Sequence, residues 1–165
     1  SLHVLTGRKG TGVDFFKGNL ALQGSTLHHE VERSLAVFAL GGVLERFPKL
    51  TIISAENDVA WFPYFMWRMD MIQGRLGALA GVKLAMKPSD YIKRQVYATF
   101  INEPVFIKTL DLYGTDNAMW SSDYPHTAAT WPRSQEFIDK TFNVLSESDR
   151  RKIVHDTAAR VYGIE

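Results

Sequence analysis

The stretch LTIISAEND, Leu50 to Asp58, is a short apolar, β-branched run that ends abruptly in acid. Apolar residues on both faces over so few positions read as a strand buried on both sides, as parallel strands are when helices cover the sheet. The run gives way at once to Glu56, Asn57 and Asp58. Beyond them Phe62, Phe65, Met66, Met69, Ile72 and Leu76 recur at helical spacing and predict an amphipathic helix.

The same unit repeats in both directions. Upstream, SLHVLT predicts a buried strand from Leu2 to Thr6. GRKGTGVDFFKGNLALQGS then predicts a long loop, of the kind that is usually functional or mobile. Leu27, Val31, Leu35, Phe38 and Gly42 line one helical face, with Ser25 or Thr26 as the cap and an end near Phe47, before Pro48. Downstream, MKPSDYIKR reads as a polar connector with a helical turn, and QVYATFI (Gln95 to Ile101) as the third strand. EPVFIKTLDLYG reads as a short helix ended by Gly114, and AMWSS as the fourth strand, which delivers Asp123. Phe137, Ile138, Phe142 and Leu145 make a further helical face. Ser146 and Asp149 have capping-box spacing before a last helix bearing Ile153, Ala158 and Val161. Strictly alternating strands and helices imply an α/β fold of parallel strands joined by right-handed crossovers. Four such units make half of a (β/α)8 barrel or a small doubly wound sheet. In either, chemistry belongs at the C-terminal strand ends, where His3, Glu56 and Asp123 fall.

The bulk composition describes an ordinary globular chain. Its 165 residues, read as one domain over 1–165, are 45% hydrophobic and 22% charged, with net charge +1. Near-neutral charge gives no electrostatic case for nucleic acid or an anionic membrane. No apolar run approaches the roughly 20 residues that span a bilayer, and no signal-peptide pattern is visible. The absence of cysteine excludes disulfides, thiolate metal sites and cysteine nucleophiles. A reducing cytoplasm fits, and any metal must use His, Asp or Glu. The chain opens Ser1-Leu2-His3 inside a strand pattern, without an initiator methionine.

Each candidate residue has a bland reading and a chemical one. Asp123, before Tyr124-Pro125, starts a turn or caps a helix; equally it is a strand-end carboxylate able to bind a metal or move a proton. Glu56 is a solvated strand-end acid, or a ligand or general base. His3 is a packed strand histidine, or a nitrogen ligand for a borderline divalent ion. His126 lines the same pocket or covers the mouth of the barrel. His28 and His29, adjacent on a helix, point in different directions, lack helical ligand spacing and read as structural or surface residues. His155, on the last helix, reads as structural. Neither a G-x-S-x-G elbow nor a P-loop is present, and GRKGTG lacks dinucleotide-binding spacing.

Three segments in combination, GVLERFPKLTIISAENDVAWFPYFMWRMD, MWSSDYPHTAATWPRS and RKIVHDTAARVYGI, resemble the amidohydrolase-related family. The resemblance is to its branch of aminocarboxymuconate semialdehyde decarboxylase and related aromatic-acid decarboxylases, and it covers nearly the whole chain from Leu2. It implies the C-terminal half of a (β/α)8 barrel, strands five to eight, in a metal-dependent hydrolase or non-oxidative decarboxylase. It implies His3 as the strand-five metal ligand and Asp123 as the strand-eight aspartate, both ligand and base. Glu56 stands where the decarboxylases carry a histidine. The family's His-x-His pair of strand one has no counterpart here. The implied cofactor is a divalent metal, zinc foremost and manganese second, and the implied substrate a small carboxylated compound, aromatic in the decarboxylase branch. Arg8 or Lys9 would receive its anionic group, and Tyr124, His126 and Trp131, with Trp61, would wall its ring. Open sheet edges imply a homo-oligomer or a missing N-terminal half. The rival reading is a half-barrel without activity that serves as a structural or assembly unit.

Overall fold

The computed structural model describes residues 1–3 and 18–164. Four strands form one sheet in the order β1 (Leu2–His3), β2 (Ile52–Ala55), β3 (Val96–Phe100), β4 (Ala118–Trp120). All three pairings are parallel, with Leu2 opposite Ser54, Ile52 opposite Val96, and Ala98 opposite Ala118. Each crossover contains helix, as the alternation predicts. Among the described residues β1 and β4 each pair on one side only, which leaves two sheet edges.

The strand expected to be buried on both faces is buried on one. In β2, Ile52 and Ser54 are buried while Ile53 and Ala55 are half-buried; in β3, Val96, Ala98 and Phe100 are buried while Tyr97 and Thr99 are half-buried. Side chains alternate across a strand, and the helices of this chain cover one side of the sheet. That covered side is the core. Val31, Leu35 and Ala39 of α2 (His28–Leu40) meet Phe62, Phe65, Met66 and Met69 of α4 (Phe62–Leu76) there, with Phe106 and Phe142 at its far end.

Helix boundaries differ from expectation in three places, each for a local reason. The segment before Thr26 contains a helix, α1 (Leu20–Thr26), because Asn19 Oδ1 accepts from Leu22 N at 3.1 Å and caps it. Ser25 and Thr26 do not cap α2; their hydroxyls bond back to Ala21 O and Leu22 O at 2.8 and 2.9 Å. The next helix stops at Leu40 rather than Phe47, and a separate turn, α3 (Val43–Arg46), follows. Gly42 has φ +70°, and a Cβ on Gly41 would meet Val37 O at 2.4 Å, so the Gly-Gly pair breaks the helix. The connector at MKPSDYIKR is a full helix, α5 (Pro88–Gln95). Its buried Pro88, Tyr91, Ile92 and Gln95 lie at i, i+3, i+4 and i+7. Asp70 of α4 caps it, accepting from Ser89 N at 2.9 Å and Ser89 Oγ at 2.7 Å.

Gln95 fixes the entry to β2 from a distance in sequence. It is buried, and its Nε2 donates to Phe47 O and Leu50 O at 2.8 and 3.0 Å. Gln95→Ala strands both carbonyls and should cost about 2 kcal/mol. Urea unfolding reads this directly.

Behind β3, α6 (Pro104–Tyr113) leads into β4, and α7 (Ser134–Thr141) follows the long loop after it. The last helix begins at α8 (Glu147–Arg151), passes through a π-helical turn (Lys152–Asp156) and ends as α9 (Thr157–Tyr162). Ser146 caps it as its spacing predicts: Ser146 Oγ accepts from Asp149 N at 3.0 Å and donates to Asp149 Oδ2 at 2.7 Å. This helix clamps the turn before β4, since Lys152 Nζ lies 2.8 Å from Asp116 Oδ1 and Arg160 donates to Asp116 O at 2.9 Å. His155 sits at its surface, 2.9 Å from Asp156 Oδ1. Among the described residues no helix is long and apolar enough to cross a membrane.

Candidate active site

Parallel strands point their C-terminal ends, and the residues just beyond them, to one side of the sheet. The register sets His3 opposite Ala55, so Glu56 follows one residue beyond. His3 Nε2 and Glu56 Oε1 are 3.0 Å apart, and the two side chains are 43% and 29% exposed. Glu56 is also held through its backbone: its N–H donates to Thr99 Oγ1 of β3 at 2.8 Å.

The loop after β2 is built to a definite shape. Glu56 and Asp58 have φ of 58° and 59°, and Asp123, beyond β4, has 57°. These are the three non-glycine residues with positive φ among the described residues, and all three follow strand ends. A left-handed backbone costs a non-glycine residue on the order of 1 kcal/mol and persists where surrounding structure imposes it. In the loop after β2, Glu103, just before α6, pins the chain that follows Asp58. Its two carboxyl oxygens accept from Val59 N at 2.7 Å and Ala60 N at 2.8 Å. Burial pushes the Glu103 carboxyl up to about 7 against these two hydrogen bonds, with the charge of Asp58 adding to the rise. Asn57 is buried; its Nδ2 donates to Ala55 O at 2.6 Å, while its Oδ1 has no hydrogen-bond partner among the described residues.

Asp123 is half-buried in the loop between β4 and α7. That loop folds on itself: His126 N donates to Asp123 O at 2.9 Å, and Thr130 N to Ser122 O at 3.1 Å. Tyr124 and Trp131 are exposed and pack edge to face, with ring centroids 5.8 Å apart. His126 is exposed beside them. Trp61 is part of the core margin: it stacks on Phe62 and donates to Asn57 O at 2.7 Å. Arg8 and Lys9 lie outside the described residues.

Of the three expected ligands, then, His3 and Glu56 are brought together. Among the described residues Asp123 does not join them in a group of three donors within 4.8 Å of one another. The geometry of the sheet accounts for this. Neighbouring strands are about 4.8 Å apart, so β4 stands about 10 Å from β2 along the sheet.

Among the described residues the structure does assemble one such group elsewhere, from the two histidines read as structural or surface together with Glu32. His28, His29 and Glu32 place one donor atom each within 4.8 Å of the others. The two imidazoles do not diverge; their centroids are 4.3 Å apart. Glu32, three and four residues on, is the signal in the sequence, since helical spacing returns it to the face of the two histidines. Desolvation, with His29 next, holds the His28 imidazole below its ordinary range. Sequence reasoning also missed Glu103; the signal was an acid immediately before the proline of α6, at a strand end.

A parallel α/β sheet with acids and a histidine at its C-terminal strand ends has the layout of a (β/α)8-type enzyme. A family model described as Amidohydrolase matches residues 3–164, and the chain belongs to that family. Among solved structures, a 5-carboxyvanillate decarboxylase from Sphingomonas paucimobilis is 25% identical, with a TM-score of 0.71 over 84% of this chain and 41% of that one. A dihydroxybenzoic acid decarboxylase from Polaromonas, described with bound manganese and the inhibitor 2-nitroresorcinol, shares the fold at 22% identity and TM-score 0.72, over 92% and 46%. An amidohydrolase from Mycobacterium avium subsp. paratuberculosis does so at 22% and 0.72, over 86% and 35%. The chain spans less than half the length of each, and its four-stranded sheet is a partial barrel.

Proposed function

We propose that this chain is the C-terminal part of a metal-dependent enzyme, a non-oxidative decarboxylase or hydrolase acting on a small carboxylated aromatic compound. One observation carries the reading. His3 of β1 and Glu56 and Asp123 beyond β2 and β4 belong to a single parallel sheet, and the first two already stand 3.0 Å apart. Two donors about 2.1 Å from an octahedral ion are themselves about 3.0 Å apart. The His3–Glu56 pair therefore fits one edge of a divalent metal's coordination shell. A nitrogen with carboxylate oxygens suits manganese or zinc, and manganese is the ion described in the Polaromonas neighbour. When bound, such an ion draws electron density from a coordinated oxygen and so acidifies a water or polarises a carboxylate.

The protein's own residues do the rest. His3 and Glu56 hold each other in one orientation. Asp123 carries the proton: in decarboxylation the C–C bond to the carboxylate breaks, CO2 leaves, and the proton passes from Asp123 to the ring carbon that keeps the electron pair. In hydrolysis Asp123 removes a proton from the attacking water. Tyr124 and Trp131 supply an apolar wall, with His126 beside them, and Arg8 receives the anionic group. The open edges of β1 and β4 are closed by the other half of the barrel, in the same polypeptide or in a second copy. A cytoplasmic place of action belongs to the same proposal.

The experiment is release of CO2 from a panel of hydroxylated benzoates by the complete barrel, before and after chelation. Activity lost on chelation and restored by manganese or zinc is the expected result. Turnover that survives exhaustive chelation would sink the metal-dependent reading.

A further inference from the structure

We propose that His28, His29 and Glu32 form a second metal site, on the first turn of α2, that takes a borderline divalent cation, zinc foremost. It is distinct from the His3–Glu56 pair and does not depend on that assignment. His28 and Glu32 are four residues apart, His29 and Glu32 three, so one helical turn presents all three donors to the same point. The donor atoms lie within 4.8 Å of one another. In a tetrahedral zinc site with bonds of about 2.1 Å, donors stand about 3.4 Å apart. Closing the site therefore needs at most about 1.4 Å of approach between any two donors, within the reach of ordinary side-chain rotation. Two imidazoles and a carboxylate suit zinc, and three protein ligands leave one position open.

The surroundings leave these donors available. Arg33, the nearest cation in sequence, is engaged by Glu30 at 3.1 Å. Among the described residues no lysine or arginine forms an ion pair with Glu32. The Trp61 ring stands 6.1 Å from His28 and gives the site one apolar wall. Asp58 lies within electrostatic reach of His28 and adds negative charge. The helix dipole opposes a cation at a helix start, but by only about 0.3–1 kcal/mol. Here it is weakened further, because Leu27 is helical and α1 runs almost directly into α2.

Zinc chloride titrated into the 165-residue chain, followed calorimetrically and by histidine NMR signals, tests this. The expected result is a zinc that shifts the His28 and His29 resonances, with or without a further ion at the strand ends. Its affinity should fall at least about tenfold in His29→Ala and in Glu32→Gln, and stay unchanged in Asp123→Ala. His29 is exposed and Glu32 half-buried on α2, so neither variant threatens the fold, and circular dichroism verifies that. No zinc bound by the parent chain overturns the proposal. So does zinc whose binding is indifferent to His29→Ala and Glu32→Gln. Zinc lost only in Asp123→Ala assigns the ion to the strand ends and overturns it too.

Discussion

Asp123→Asn should lower turnover of the complete barrel by about 10³-fold while leaving the fold intact. The amide keeps the size of the carboxylate and its turn, but it neither carries the proton nor donates negative charge to a metal. General acid–base groups contribute roughly 10²–10⁴-fold. The companion variant Asp123→Gly separates chemistry from architecture. Asp123 has φ 57°, a conformation glycine adopts without strain. The glycine variant should therefore be as stable as the parent, or more stable by up to about 1 kcal/mol, yet equally inactive. Denaturant midpoints beside initial rates give both numbers. A variant that loses stability and keeps activity would show that Asp123 is a turn residue, the bland reading of SSDYPH.

Glu103→Ala should be the most damaging single change to the loop after β2, at about 3 kcal/mol. It removes the acceptor for two backbone N–H groups, Val59 and Ala60, each worth roughly 1.5 kcal/mol when bonded to an acid group. Glu103→Gln keeps one acceptor and turns an amide NH2 toward a backbone donor, so it should recover only part of the loss. A pH signature accompanies this. The Glu103 carboxyl is raised to about 7 in the folded chain, from an ordinary 4.5. The folded state thus binds more protons than the unfolded one between these values. Stability from this group is fully present below pH 4.5 and is lost as pH rises through 7. Urea unfolding from pH 4.5 to 8 should show that decline in the parent and lack it in Glu103→Gln. Equal slopes in the two proteins would show that the carboxyl is not raised.

The two predictions meet in one loop. Glu103 stands at the end of β3, yet it sets the course of the chain just after Glu56. Loosening it should misplace Glu56 against His3, because the pair depends on a strand register and on a backbone that glycine-free residues rarely adopt. The His3–Glu56 pair is thus held from the neighbouring β3 unit.

Much of this was legible in the sequence. Local periodicity gave α4 its limits, Phe62–Leu76, because its apolar positions repeat at helical spacing from the first residue to the last. The β-branched runs gave β2 and β3, and Ser146 with Asp149 gave the start of the final helix. The placement of Glu56 and Asp123 just beyond strands, and of His3 within the first strand, followed from element order alone. All of these depend on neighbours a few residues apart, which a single stretch of chain encodes. Tertiary structure decided what depends on contacts across long separations: the His3–Glu56 pair, fixed by parallel register; the course of the chain from Glu56 to Ala60, held by Thr99 and Glu103; and the acid of Glu103 clamped across 43 and 44 residues. It also decided that one face of each central strand is covered and the other half open. Composition states that a strand is apolar, but only the arrangement of helices around the sheet determines which side they bury.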